Sequence, residues 1–190
     1  MRQTSGPAGS KSTVLPLRCW RRSRIRSSES GYAPFNVVPI RLPGEDEDTL
    51  EDTLFVTFAL QDADKHDDVA GPGHGFVDTF NLAGRNRDRF ASREHLNSPW
   101  GVALAPPGFG RFSGKVLIGG FGNGRIHAFD PEDGEFIGTV RKADEDPIVI
   151  DGLWALKFGN GGNGGGTNVL YFTAGPNEEK DGLFGAISPN

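Results

Sequence analysis

Between Leu60 and Phe76 the chain reads LQDADKHDDVAGPGHGF. Four carboxylates, Asp62, Asp64, Asp67 and Asp68, surround His66, and His74 follows a Gly-Pro-Gly turn. Oxygen donors at this density form the kind of set that calcium takes, so calcium is the candidate cofactor and these aspartates are its candidate ligands. The spacing is not that of a helix–loop–helix calcium site. The sixth position of such a loop is glycine, and counted from Asp62 it is Asp67. The plainer reading is a solvated loop whose aspartates cap turns. His66 or His74 beside Asp67 could also do acid–base work or hold a transition metal. No nucleophile stands near them in a recognisable motif.

A second group of candidates precedes two tryptophans. Asn97 stands in Leu96-Asn97-Ser98-Pro99-Trp100, and Asp151 in Asp151-Gly152-Leu153-Trp154. If the strands that follow border a channel, Asp151 and Asn97 could bind a ligand there, with Trp100 and Trp154 lining it. The competing reading makes Asp151 and Asn97 turn caps. In that reading the tryptophans, with Phe35 as a third member, are packing residues between sheets. The glycine run Gly159–Asn168 lacks the Gly-Lys-Ser/Thr ending of a phosphate loop and leads into a strand, so it reads as a flexible connection.

The elements that must carry these residues repeat along the chain. A Pro- or Gly-led segment with an aromatic comes first: PFNVVPI at Pro34, PWGVALAP at Pro99, GLWALKFG at Gly152. A segment apolar on both alternating faces comes second: LFVTFAL, KVLIGGF, NVLYFTAG. Such a strand is covered from both sides. A glycine-led third segment begins at Gly75, Gly124 and Gly182, spaced by 49 and 58 residues. RDRFAS at Arg87 and EFIGTV at Glu135 supply a fourth, and the third unit has none. Four antiparallel strands at this period predict an all-β chain of propeller blades. The expected fold is a partial β-propeller of about two and a half to three four-stranded blades, at 34–95, 96–146 and 147–190. Residues 1–33 are expected to be a disordered basic tail. Too few blades are present for the roughly four to eight of a closed ring. The chain therefore reads as the C-terminal portion of a larger propeller, prone to self-association or dependent on a companion chain carrying the missing blades.

Bulk composition narrows the function classes. The 28 Gly and 13 Pro among 190 residues suit many short strands and interrupt every candidate helix. The net charge of −5 divides unevenly. Residues 1–33 hold seven Lys or Arg and one acid, and the remainder is strongly acidic. An acidic body argues against a surface that tracks nucleic-acid phosphates. The single cysteine, Cys19, excludes an internal disulfide and a CxxC zinc site. No apolar run approaches the length of a membrane span, and the N-terminus has no signal-peptide core.

The segments DADKHDDVAG, LNSPWGVALAP, GFGRFSGKVLIGGFGNGRIHAFDP, PIVIDGLWALKFGNGG and LYFTAG with GLFGAI resemble an uncharacterised family of exported bacterial NHL-like β-propellers, some with a PEP-CTERM tail. Asn36 and Gly120 depart from that family's glycine and asparagine. The resemblance implies an extracellular or periplasmic place. The start of the chain, taken alone, implies a cytoplasmic one. It carries no catalytic residue. The function expected is a non-enzymatic binding or interaction scaffold. The alternative is a calcium-dependent, lactonase-like hydrolase using channel-facing acids.

Overall fold

The computed structural model describes residues 30–43, 50–85 and 87–189. Most of the basic segment, Cys19 included, lies outside them, as does the proposed disorder of that tail. Three antiparallel sheets make up the fold. The first contains β1 (Tyr32–Pro43), β2 (Leu50–Leu60), β3 (Gly75–Asn81) and β4 (Asp88–Ser92) in sequential order. The second contains β5 (Pro99–Leu104), β6 (Val116–Gly120), β7 (Ile126–Phe129) and β8 (Phe136–Thr139), again in order. The third has three strands, β9 (Leu153–Phe158), β10 (Leu170–Ala174) and β11 (Leu183–Ile187). Among the described residues the only helical element is a single 3-10 turn, Gly110–Phe112, between β5 and β6.

The all-β expectation is met, and among the described residues the third sheet has one strand fewer than the other two. The turn chemistry explains the hairpins. In the β7–β8 connection the Asp130 carboxylate accepts the Glu132 N–H (3.0 Å), and Gly134 N–H donates to the Asp130 carbonyl (3.0 Å). Gly134 has a φ of +73°, a backbone region that side chains disfavour.

Period-two patterning decides which residues face which neighbour. In β6, Val116 and Ile118 join a core with Phe55, Val77 and Leu96 of the first sheet and its exit. Leu117, between them, joins the opposite core with Leu153, Leu156 and Leu170 of the third sheet. The second sheet is therefore packed on both faces, as its doubly apolar middle strand requires. Full burial of each such Leu, Ile or Phe contributes about 1.5–3 kcal/mol. The first strands β1, β5 and β9 lie side by side, so the three meanders stack from a common edge. Asn36 lies just past an irregularity in β1, and its amide donates to the Trp100 carbonyl (3.1 Å), joining the first sheet to the second.

Gly101 lies where the second sheet approaches the backbone of the third. A Cβ there would stand 2.6 Å from the Trp154 carbonyl oxygen and 2.8 Å from the Leu156 side chain. Because the obstacle includes backbone, Gly101→Ala should destabilise the protein by about 2 kcal/mol. Urea unfolding measures it, and an unchanged midpoint would refute this account of the interface.

Candidate functional site

In an antiparallel meander alternate connections fall at the same end of the sheet. The β2–β3, β4–β5, β6–β7, β8–β9 and β10–β11 connections therefore gather at one edge of the stack, and Asp62, Asp64, His66, Asp67, Asp68, His74, Asn97 and Asp151 lie on them, while the glycine run Gly159–Asn168 is the β9–β10 connection. The aspartate-rich loop is the β2–β3 connection. Two of its carboxylates, Asp62 and Asp67, are engaged locally. Asp62 Oδ1 accepts the His66 N–H (2.8 Å), and this backbone bond holds the Asp62 carboxyl below its ordinary range. Asp67 Oδ1 accepts the Asp68 N–H (2.9 Å), and Asp64 is exposed. Asp68 turns inward. Burial pushes its carboxyl up, and the buried Ser98 hydroxyl beside it opposes that shift. His74 Nδ1 donates to the Val69 carbonyl (2.8 Å) and closes the loop on itself. Among the described residues no group of three or more His, Cys, Asp or Glu side chains is arranged to hold a metal ion.

Asn97 and Asp151 occupy matching places. Asn97 is followed by Ser98, with φ +46°, and Asp151 by Gly152, with φ +59°. The Ser98 carbonyl accepts the Phe121 N–H, and the Gly152 carbonyl accepts the Gly175 N–H, both at 2.9 Å. Each preceding side chain ties down a loop. Asn97 Oδ1 accepts the Gly71 N–H (2.8 Å), and Asp151 Oδ2 accepts the Asn177 N–H (3.0 Å). The tryptophans pack. Phe35 meets Trp100 edge-on at 4.4 Å. The Trp154 ring covers Gly175, and its Nε1 donates to the Glu179 carboxylate (3.0 Å). Of the four ligand-binding candidates, Asn97 alone lines the cleft described next.

That cleft, of about 360 Å³, lies between the first two sheets at the gathered edge. Pro72, Glu94, His95, Asn97, Arg125 and His127 line it. The linker forming one wall is strained: Arg93, Glu94 and Ser98 have positive φ values of 53°, 32° and 46°. A left-handed conformation at a residue other than glycine costs about 1–2 kcal/mol. Such strain persists only where the surroundings over-determine it, which is commonest at functional sites. His95 stacks on Phe136 at 3.6 Å and stands 5.9 Å from His127. His127 is buried on β7 with Nδ1 3.0 Å from Thr139 Oγ1. Burial, with the nearby charges of His95 and Arg125, pushes its pKa down to about 4, so the imidazole is neutral at physiological pH. The wall thus offers two imidazoles, that of His127 neutral, the Asn97 amide, the Arg125 guanidinium and the Glu94 carboxylate, a polar hydrogen-bonding set.

Sequence patterning points to His66 and His74 and not to His95 or His127. One signal was available for His127. Ile126-His127-Ala128-Phe129 alternates, and a histidine amid apolar residues on a short strand must face a neighbouring sheet. Nothing in the local pattern places His95 beside it.

No known protein-family profile matches the chain. Three uncharacterized proteins of Acanthamoeba polyphaga mimivirus are similar to it. One is 34% identical over 157 residues, covering 82% of this chain and 36% of that protein. Another is 39% identical over 119 residues, covering 63% and 30%. A third is 32% identical over 123 residues, covering 64% and 21%. The chain therefore spans about a third or less of the length of these relatives. They correct the resemblance drawn from the sequence segments: the similar proteins are viral and uncharacterized, not exported bacterial NHL-like propellers. Short Gly-, Pro- and aromatic-punctuated strand motifs report the local needs of a β-meander, which unrelated lineages share. The extracellular or periplasmic placement rested on that resemblance alone. No helix among the described residues is long and apolar enough to cross a membrane.

Proposed function

We propose that the chain is a non-enzymatic binding scaffold whose three sheets are consecutive blades of a β-propeller. The observation that carries the scaffold reading is the use of the reactive-looking side chains. Asp62, Asn97 and Asp151 each accept a backbone N–H that fixes a loop, and His127 rests against Thr139. The cleft around His95, Asn97 and Arg125 is the ligand site, suited to a small polar molecule that donates to the amides and accepts from the guanidinium.

The propeller reading is supported by matched positions on the second and third sheets. Leu117 pairs with Ala128 and Gly119 with Ile126, and in the third sheet Tyr171 pairs with Ala186 and Thr173 with Phe184. Leu117, Ile126 and Ala128 are fully buried. At the matching places, Phe184 is 70% exposed and stacks on Tyr171 at 5.8 Å. A further sheet of the same kind, from a second copy or a companion chain, would cover that face.

The scaffold and the lactonase-like alternative differ in a direct assay. The purified chain should hydrolyse simple lactones no faster than buffer, with or without calcium, and calcium should leave its melting temperature unmoved. Calcium-dependent turnover that disappears in Asp151→Ala would overturn the scaffold reading.

A further inference from the structure

The strands corresponding to β11 in the first two sheets, β3 and β7, each have two hydrogen-bonded neighbours. Among the described residues β11 has one, β10. Its other edge presents backbone donors and acceptors, and Leu183 beside it is 45% exposed. A groove of about 490 Å³ lies between the C-terminal end of β11, at Ile187, and the outer part of the second sheet. Phe112, which lies against Gly138 of β8, forms its floor with Ile148 and Ile187. Arg111, Arg141 and Lys142 stand on its rim. Arg111 lies over the Phe112 ring at 4.6 Å and donates to the Thr139 carbonyl (3.1 Å). Arg141 donates to the Glu145 carbonyl (2.6 Å). Both acceptors are neutral, so these bonds hold the guanidinium groups in place without cancelling their charge. Three cations face a single lining acid, Glu145.

We propose that this edge and groove receive an extended acidic peptide segment, added as a fourth strand to the third sheet. Its backbone pairs with β11, apolar anchors enter between Phe112 and Ile187, and its carboxylates meet the rim cations. Strand addition supplies affinity through main-chain bonds and specificity through alternate side chains. The inference rests on the interaction-scaffold reading and names the partner's chemistry.

The test uses the full chain and a fluorescent octapeptide with phenylalanine and valine at two central alternate positions and glutamates on either side. Fluorescence anisotropy should show saturable binding, and amide exchange at Leu183–Ile187 should slow. Replacing the glutamates by lysines, methylating the backbone nitrogens along one edge, or introducing Arg141→Glu with Lys142→Glu should each weaken binding about tenfold. Equal binding of the lysine or N-methylated peptide would overturn the proposal. So would sedimentation showing that a second copy occupies β11 and the peptide cannot displace it. Absence of peptide binding with lactone turnover still absent would sink this inference alone and leave the scaffold standing.

Discussion

Asp78→Ala should remove about 3–5 kcal/mol of stability, a loss as large as truncating a fully buried phenylalanine. Asp78 sits on β3, fully buried, on the side of the first sheet that carries Phe76 and Phe80. Its Oδ2 accepts from Arg87 Nε and its Oδ1 from Arg89 Nε, both at 2.7 Å. Register places Arg89 directly across from Asp78, and the Arg89 guanidinium lies 3.8 Å from the centre of the Phe76 ring. Both arginine side chains are about 29% exposed, so solvent screens this triad far less than a surface pair. Alanine leaves two cations beside a cavity that no longer holds their shared anion. Asp78→Asn keeps the volume and one acceptor, and should lose less. Urea unfolding of the two variants measures the difference, and a loss below about 1 kcal/mol in Asp78→Ala would show that the triad is stabilised by its packing alone.

Acid should weaken the fold through His127, by about 3 kcal/mol between neutral pH and pH 4. Its pKa is about 4 in the fold, against an ordinary value of about 6.5 in the unfolded chain. Protonation therefore favours unfolding. The contribution is fully present above about pH 6.5 and is lost as pH falls through 4. Burial is the main cause, and the charges of His95 and Arg125 add to it. Other groups titrate over the same range, Asp68 among them because burial pushes its carboxyl up, so the wild-type curve alone does not isolate the effect. His127→Asn retains a polar side chain opposite Thr139 and has no proton to gain. Its stability should be flatter across this window, and parallel pH curves for the two proteins would rule out His127 as the source. The same titration reports on the cleft, because a charged His127 would stand beside Arg125 and disfavour a cationic ligand.

The strand plan was legible because period-two patterning is local. Phe55 and Val56 are neighbours in sequence and face opposite cores, and the alternation in LFVTFAL states this without further information. The β7–β8 hairpin was equally legible from Asp130 to Gly134, since turn residues act within a few positions. That the third sheet has three strands among the described residues was also legible, from a third repeat with three segments. What those repeats did not reveal was ancestry, because the residues that make a meander are selected by geometry in any lineage.

The candidate site was only half legible. Asn97 and Asp151 were recognisable as a pair by their places before Trp100 and Trp154. Their hydrogen bonds run to Gly71 and Asn177, each 26 positions away, and no local pattern names those partners. The positive φ values at Arg93, Glu94 and Ser98 have no glycine to announce them.

The sequence by itself determined the class of fold, the number of strand units and the positions of the turns, because each follows from side-chain alternation or from Gly and Pro within a short window. The tertiary structure decided which polar residues share a cleft, that His127 is buried and neutral, and which sheet face and edge have no neighbour among the described residues. Those properties depend on distances between segments remote in the chain, and on how far each group is removed from water when the sheets stack.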